Sequence, residues 1–184
     1  MIQKLIPMLA ALILGLPSPA LTQQRAADIT QPPPRTAVRA ARLLDVKSGT
    51  LINDAVVLVE GERISAVGSR LPIPAGANVI DLGDVTLLPG LIDCHTHLLA
   101  SGPDDYGTML LTKSQAYRAL EGASNARRTL LAGFTSVRDV ENEGSGYADV
   151  ALRDAVERGL VEGPRMKVAT RAIAAVGQYN PFGI

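Results

Sequence analysis

Asp93-Cys94-His95-Thr96-His97 is the one constellation in this sequence that suggests chemistry. Side chains alternate across a β-strand, so residues two apart share a face. Asp93, His95 and His97 are therefore expected on one face, with Cys94 and Thr96 on the other. Neutral imidazole is a good donor to zinc and similar ions, and two imidazoles at this spacing can grip one ion. A divalent ion held there makes water a usable nucleophile near neutral pH. Asp93 is placed to orient a histidine or to shape the local field. Alone, His-x-His also describes two histidines that are merely hydrogen-bonded or exposed on a strand. Three features favour ligands here. The pair ends an apolar strand, it follows Pro89-Gly90, and it falls where parallel-sheet proteins place active sites, at the C-terminal ends of strands.

The elements around the pair follow from the pattern. Short strands are expected at Val38–Val46, Ala55–Val59, Ile64–Val67, Asn78–Leu82 and Val85–Leu88, with a hairpin turning at Glu60-Gly61-Glu62. This stretch has no helical period and reads as a small β unit. After Pro89 the pattern changes. Leu91-Ile92-Asp93 begins the strand that carries the histidines. Lys113 to Leu131 reads as a helix with Ala116, Leu120, Ala123, Leu130 and Leu131 on its apolar face, stopped by Gly133. Phe134–Val140 is a second strand. Tyr147–Arg158 is a second helix, with Ala148, Ala151, Leu152 and Ala155 on one face and Gly159 as its stop. Gly163-Pro164 turns the chain into a third strand from Arg165. Strand and helix in alternation specify a parallel sheet with covering helices, and three strands do not close a barrel.

Composition limits the function classes. Of 184 residues, 47% are apolar, enough to bury one core, and only 3% are aromatic, so Val, Leu, Ile and Ala must build it. The 18 basic and 18 acidic residues balance, and no basic block suggests nucleic acid. Residues 1–20 read as a secretory signal. Lys4 precedes the apolar run Leu5 to Leu16, and Ser18-Pro19-Ala20 supplies small residues for cleavage. The run is too short for a membrane span, so the chain is expected to be exported, periplasmic or secreted, with no stable span afterwards. Residues 21–37, with Pro32-Pro33-Pro34, read as a Pro/Gln-rich linker. The small β domain is then 38–88 and the α/β part 89–184. Cys94 is the sole cysteine, so no internal disulfide forms. Gly-x-Ser-x-Gly, Cys-x-x-Cys and phosphate-cradling Gly-rich motifs do not occur.

The stretch Val85-Thr86-Leu87-Leu88-Pro89-Gly90-Leu91-Ile92-Asp93-Cys94-His95-Thr96-His97 resembles the first barrel strand of the amidohydrolase superfamily. Leu43-Leu44-Asp45 and the segment from Val57 to Gly68 resemble the small β domain before that barrel. Gly133-Phe134-Thr135-Ser136-Val137-Arg138-Asp139 resembles the second barrel strand, and Gly163-Pro164-Arg165 the approach to the third. The branch most similar contains imidazolone-propionase-like and Xaa-Pro-dipeptidase-like enzymes. The resemblance implies an α/β fold: a small β unit, then the first three strands of a (β/α)8 barrel. It implies one or two divalent metals, usually zinc, with His95 and His97 as the first two ligands, and a small-molecule or dipeptide-like substrate. It also implies a bridging lysine, two more histidines and a general-base aspartate on later strands. The chain holds two histidines in all, and Lys4, Lys47, Lys113 and Lys167 do not match the bridge, so no catalytic residue is assigned. It reads as truncated after Pro181-Phe182-Gly183-Ile184.

Arg138 and Asp139, at the end of the second strand, are candidates for a substrate or second-sphere role, against an ordinary ion pair between strand ends. Gln178 and Tyr179 follow the third strand, where some relatives carry a histidine. Cys94 is expected to face the helix layer. Three functional readings compete: a metal-dependent hydrolase of amide or other C–N bonds, an inactive fragment of one, and an exported binding module that kept the fold without the chemistry. A homo-oligomer is compatible with each.

Overall fold

Short apolar runs separated by polar residues, from Ala37 onward, build the first sheet in this computed structural model, which describes residues 35–100 and 106–173. The expected signal and the tail with Gln178 and Tyr179 lie outside the described residues. Strands β1 (Arg35–Asp45), β2 (Thr50–Glu60) and β3 (Arg63–Ser69) are antiparallel neighbours. β1 starts ahead of the expected Val38, because Thr36 and Ala37 pair with Val59 and Leu58 and Ala37 is fully buried. Gly61 sits at the hairpin tip with φ 60°, a left-handed conformation that glycine adopts without a Cβ clash. β4 (Asn78–Asp81) and the two-residue β5 (Thr86–Leu87) both run parallel to β1. Leu43, Ala55 and Val57 form the core of this sheet, with Val38, Ile52, Val59 and Leu87 against them.

The second sheet is parallel. It contains β6 (Leu91–Thr96), β7 (Phe134–Asp139) and β8 (Arg165–Val168) in that order. Helices α1 (Tyr106–Thr112) and α2 (Gln115–Leu131) lie between the first two strands, and α3 (Ala148–Glu157) between the last two. Sequential parallel strands that are also spatial neighbours, joined through helices, are the opening of a (β/α)8 barrel. The Ser114 hydroxyl caps α2 by accepting from the Tyr117 N–H at 3.2 Å. Gly133, at φ 97°, follows its last turn. Leu98, Leu99, Ala126, Val137, Leu152 and Met166 make the core between strands and helices. Burying one leucine such as Leu99 contributes about 2 kcal/mol.

The buried stripe of α2 is only partly the expected one: Ala123 packs against the core. Arg118, Gly122 and Ala126 face inward, whereas Leu120 and Leu131 are exposed. The inward stripe uses small residues because the strand exit comes close: a Cβ on Gly122 would lie 2.5 Å from Leu99 Cδ2. Arg118 is buried because its guanidinium reaches backbone carbonyls at the strand ends. On α3, Leu152 is buried as expected, but Ala151 is exposed. Among the described residues no helix is long and apolar enough to cross a membrane.

Candidate metal centre

β6 delivers the two histidines at its C-terminal end. The His95 and His97 Nε2 atoms stand 3.2 Å apart, with the rings tilted by 56°. Two imidazole nitrogens, each about 2.0–2.1 Å from a tetrahedral zinc, are about 3.3 Å apart. The donor set and its spacing therefore fit one shared divalent ion. His95 is exposed, while the His97 side chain is one-third exposed.

The route to this geometry departs from simple alternation. Asp93 pairs with Val137, but Thr96 pairs with Asp139. Three steps on β6 thus match two on β7, and one residue of β6 is extra. Such a bulge re-aims side chains, and bulges concentrate beside active sites. Asp93 consequently lies opposite a core residue and does not share a simple face with the histidines. Its Oδ1 accepts the His95 backbone N–H at 3.0 Å, which holds the irregular turn of chain. Cys94 is exposed and does not face a helix layer as expected, because Asp93, its neighbour, is the residue opposite the core residue Val137.

Asp139 fixes the exit of the histidine strand. It is fully buried, and its Oδ1 accepts from the Leu98 N–H at 3.0 Å and the Thr96 hydroxyl at 3.3 Å. Burial pushes its carboxyl up to about 6; the Leu98 and Thr96 hydrogen bonds oppose that, and the Asp149 charge adds to it. Arg138, its neighbour, points elsewhere. It is exposed, and its Nε donates to the Cys94 carbonyl at 2.7 Å. Adjacent strand residues project to opposite faces, and among the described residues no ion pair between strand ends joins Arg138 or Asp139.

The loop after β7 brings residues that sequence reasoning missed. Glu141 and Glu143 are buried, and Glu143 Oε1 meets His97 Nδ1. A ligand nitrogen of His97 and one carboxylate oxygen from each glutamate lie within 4.8 Å of one another. The loop is held from within by the Asn142 side chain, which accepts from the Gly144 N–H at 2.9 Å and donates to the Gly146 carbonyl. Glu143 itself has φ 55°, a conformation that costs a non-glycine residue energy and persists only under such restraint. Arg118 ties the loop to the segment that follows β6, donating to the carbonyls of Leu99 and Glu143. The available signal was acid density: Asp139, Glu141 and Glu143 crowd the end of a strand, followed by Gly144 and Gly146.

The sequence comparison agrees with this geometry. The profile described as "Amidohydrolase family" matches residues 86–176, which include the three parallel strands and the histidine pair. The chain belongs to the amidohydrolase family. An imidazolonepropionase of Pseudomonas paraeruginosa (strain PA7) is 32% identical over 123 residues, which are 65% of this chain and 26% of that protein. An imidazolonepropionase of Arthrobacter sp. (strain FB24) is 46% identical over 52 residues, 28% of this chain and 13% of that protein. Among solved structures, a prolidase complexed with N-methylphosphonate-L-proline matches with TM-score 0.68 and 35% identity, over 82% of this chain and 36% of that one. A Xaa-Pro dipeptidase with bound methionine in the active site matches with TM-score 0.65 and 30% identity, over 76% of this chain and 34% of that one. The chain thus spans about a third of the length of the amidohydrolase structures it matches.

Proposed function

We propose that this protein is a metal-dependent hydrolase of carbon–nitrogen bonds in a small amide or dipeptide-like substrate. The observation that carries the reading is the meeting of the His95 and His97 Nε2 atoms at 3.2 Å, at the C-terminal end of the first barrel strand. His95 and His97 would hold a divalent ion, with zinc the first candidate for two imidazoles. When bound, such an ion supplies Lewis acidity that makes water nucleophilic near neutral pH. Asp93 holds the His95 backbone, and Asp139 holds the chain just beyond His97 through the Leu98 N–H. Arg138, exposed and steadied on the Cys94 carbonyl, is suited to a carbonyl or carboxylate of the substrate. The remaining donors, and the group that takes the proton from water, belong on barrel strands later than the three described. Relatives named imidazolonepropionase and prolidase support a C–N bond as the target. We read the first 20 residues as an export signal, which places the protein outside the cytoplasm.

The test is hydrolysis by the purified protein of a panel of Xaa-Pro dipeptides and cyclic amides, with and without added zinc. Turnover that a chelator stops and zinc restores is the expected result. Turnover indifferent to the chelator overturns the reading.

A further inference from the structure

We propose that His97, Glu141 and Glu143 form a second divalent-cation position, on the Nδ1 side of the His97 ring. It is distinct from the point shared by the two Nε2 atoms, and it goes beyond the proposed function, meeting it only at His97. Three donors of types that bind Mn2+ or Zn2+ lie within 4.8 Å of one another. Glu143 Oε1 is already against His97 Nδ1, so the cluster uses the other ring nitrogen from the one that meets His95. The deciding feature is Glu141. It is only 8% exposed, and it takes part in no hydrogen bond or ion pair among the described residues. Glu143 already has His97 as a partner, whereas Glu141 has none among the described residues, and buried charges are ordinarily paired or coordinate metals. The carboxylates of Glu141 and Glu143 aim at the same small volume as the imidazole nitrogen, so one cation there offsets both.

A neutral imidazole has one lone pair. His97 therefore serves either position at a given moment, and ions at the two positions compete for it. Glu141 belongs to the new position alone, which makes it the discriminating residue.

The experiment is a Mn2+ titration of the full chain followed by electron paramagnetic resonance, with metal per chain measured after dialysis. The chains compared are the parent, His95→Ala, Glu141→Gln and Glu141→Asp, each checked by circular dichroism. His95→Ala should retain Mn2+ with a Kd within about threefold of the parent, since that position does not use it. Glu141→Gln should weaken Mn2+ binding by about tenfold or more, the loss usual for removing a group that supports a metal. If Glu141→Gln does not fold, Glu141→Asp, which keeps the charge but shortens the reach, should still weaken binding measurably. Mn2+ binding abolished by His95→Ala and unchanged in the folded Glu141 variant overturns the second position and leaves the histidine pair standing. Binding of no divalent ion by any of the chains overturns both.

Discussion

Asp139→Asn isolates the most consequential buried charge in the structure. Asp139 is fully buried at the end of β7, and burial raises its carboxyl from an ordinary 3.8 to about 6. A raised carboxyl binds its proton more tightly in the folded chain than in the unfolded one. Its contribution to stability is therefore complete below pH 3.8 and is lost as pH rises through about 6. A separation of that size corresponds to about 3 kcal/mol. Asparagine cannot ionise, and its Oδ1 can still accept from the Leu98 N–H. Its amide nitrogen takes the place of an Oδ2 that has no hydrogen-bond partner, so at pH 4 the variant should be less stable by about 1–2 kcal/mol. Between pH 4 and pH 8 the parent loses about 3 kcal/mol that the variant keeps. The variant should thus overtake the parent near neutral pH. Urea unfolding of both chains at pH 4, 5.5 and 8, with chelator to hold metals away, measures this directly. Parallel stability profiles for the two chains would refute the assignment of a raised carboxyl to Asp139.

Two further substitutions test how the elements are positioned. Ser114→Ala removes the cap on α2 and should cost about 1 kcal/mol, read as a lower urea midpoint with unchanged slope. Gly90→Ala should cost about 1–3 kcal/mol in the same assay, because its Cβ would lie 2.7 Å from Thr135 Cβ and 2.2 Å from both atoms beyond it, leaving the threonine no room to turn.

The strand order and the placement of His95 and His97 were legible because their signals are periodic. A strand–helix alternation has few topologies, and the histidines close an apolar run. What escaped was non-periodic. The bulge between Asp93 and Thr96 inserts one residue without disturbing any pattern of residue types, so alternation placed Asp93 with the histidines when its partner is Val137. The face of α2 was read only in part, since Ala123 packs on the core while Leu120 and Leu131 are exposed. Gly122 and Ala126 face inward since only small residues admit Leu99, and Arg118 follows them because carbonyls at the strand ends need its donors. Glu141 and Glu143 belong to no motif read from the sequence, and only the folded loop, braced by Asn142, carries them inward to His97.

Metal content tests the central claim most directly. The full chain, purified in the presence of zinc and dialysed, is compared with His95→Ala/His97→Ala by elemental analysis, with circular dichroism confirming that both are folded. The account predicts bound divalent metal in the parent and its loss in the double variant. Equal metal per chain in the two would contradict the assignment of His95 and His97 as ligands.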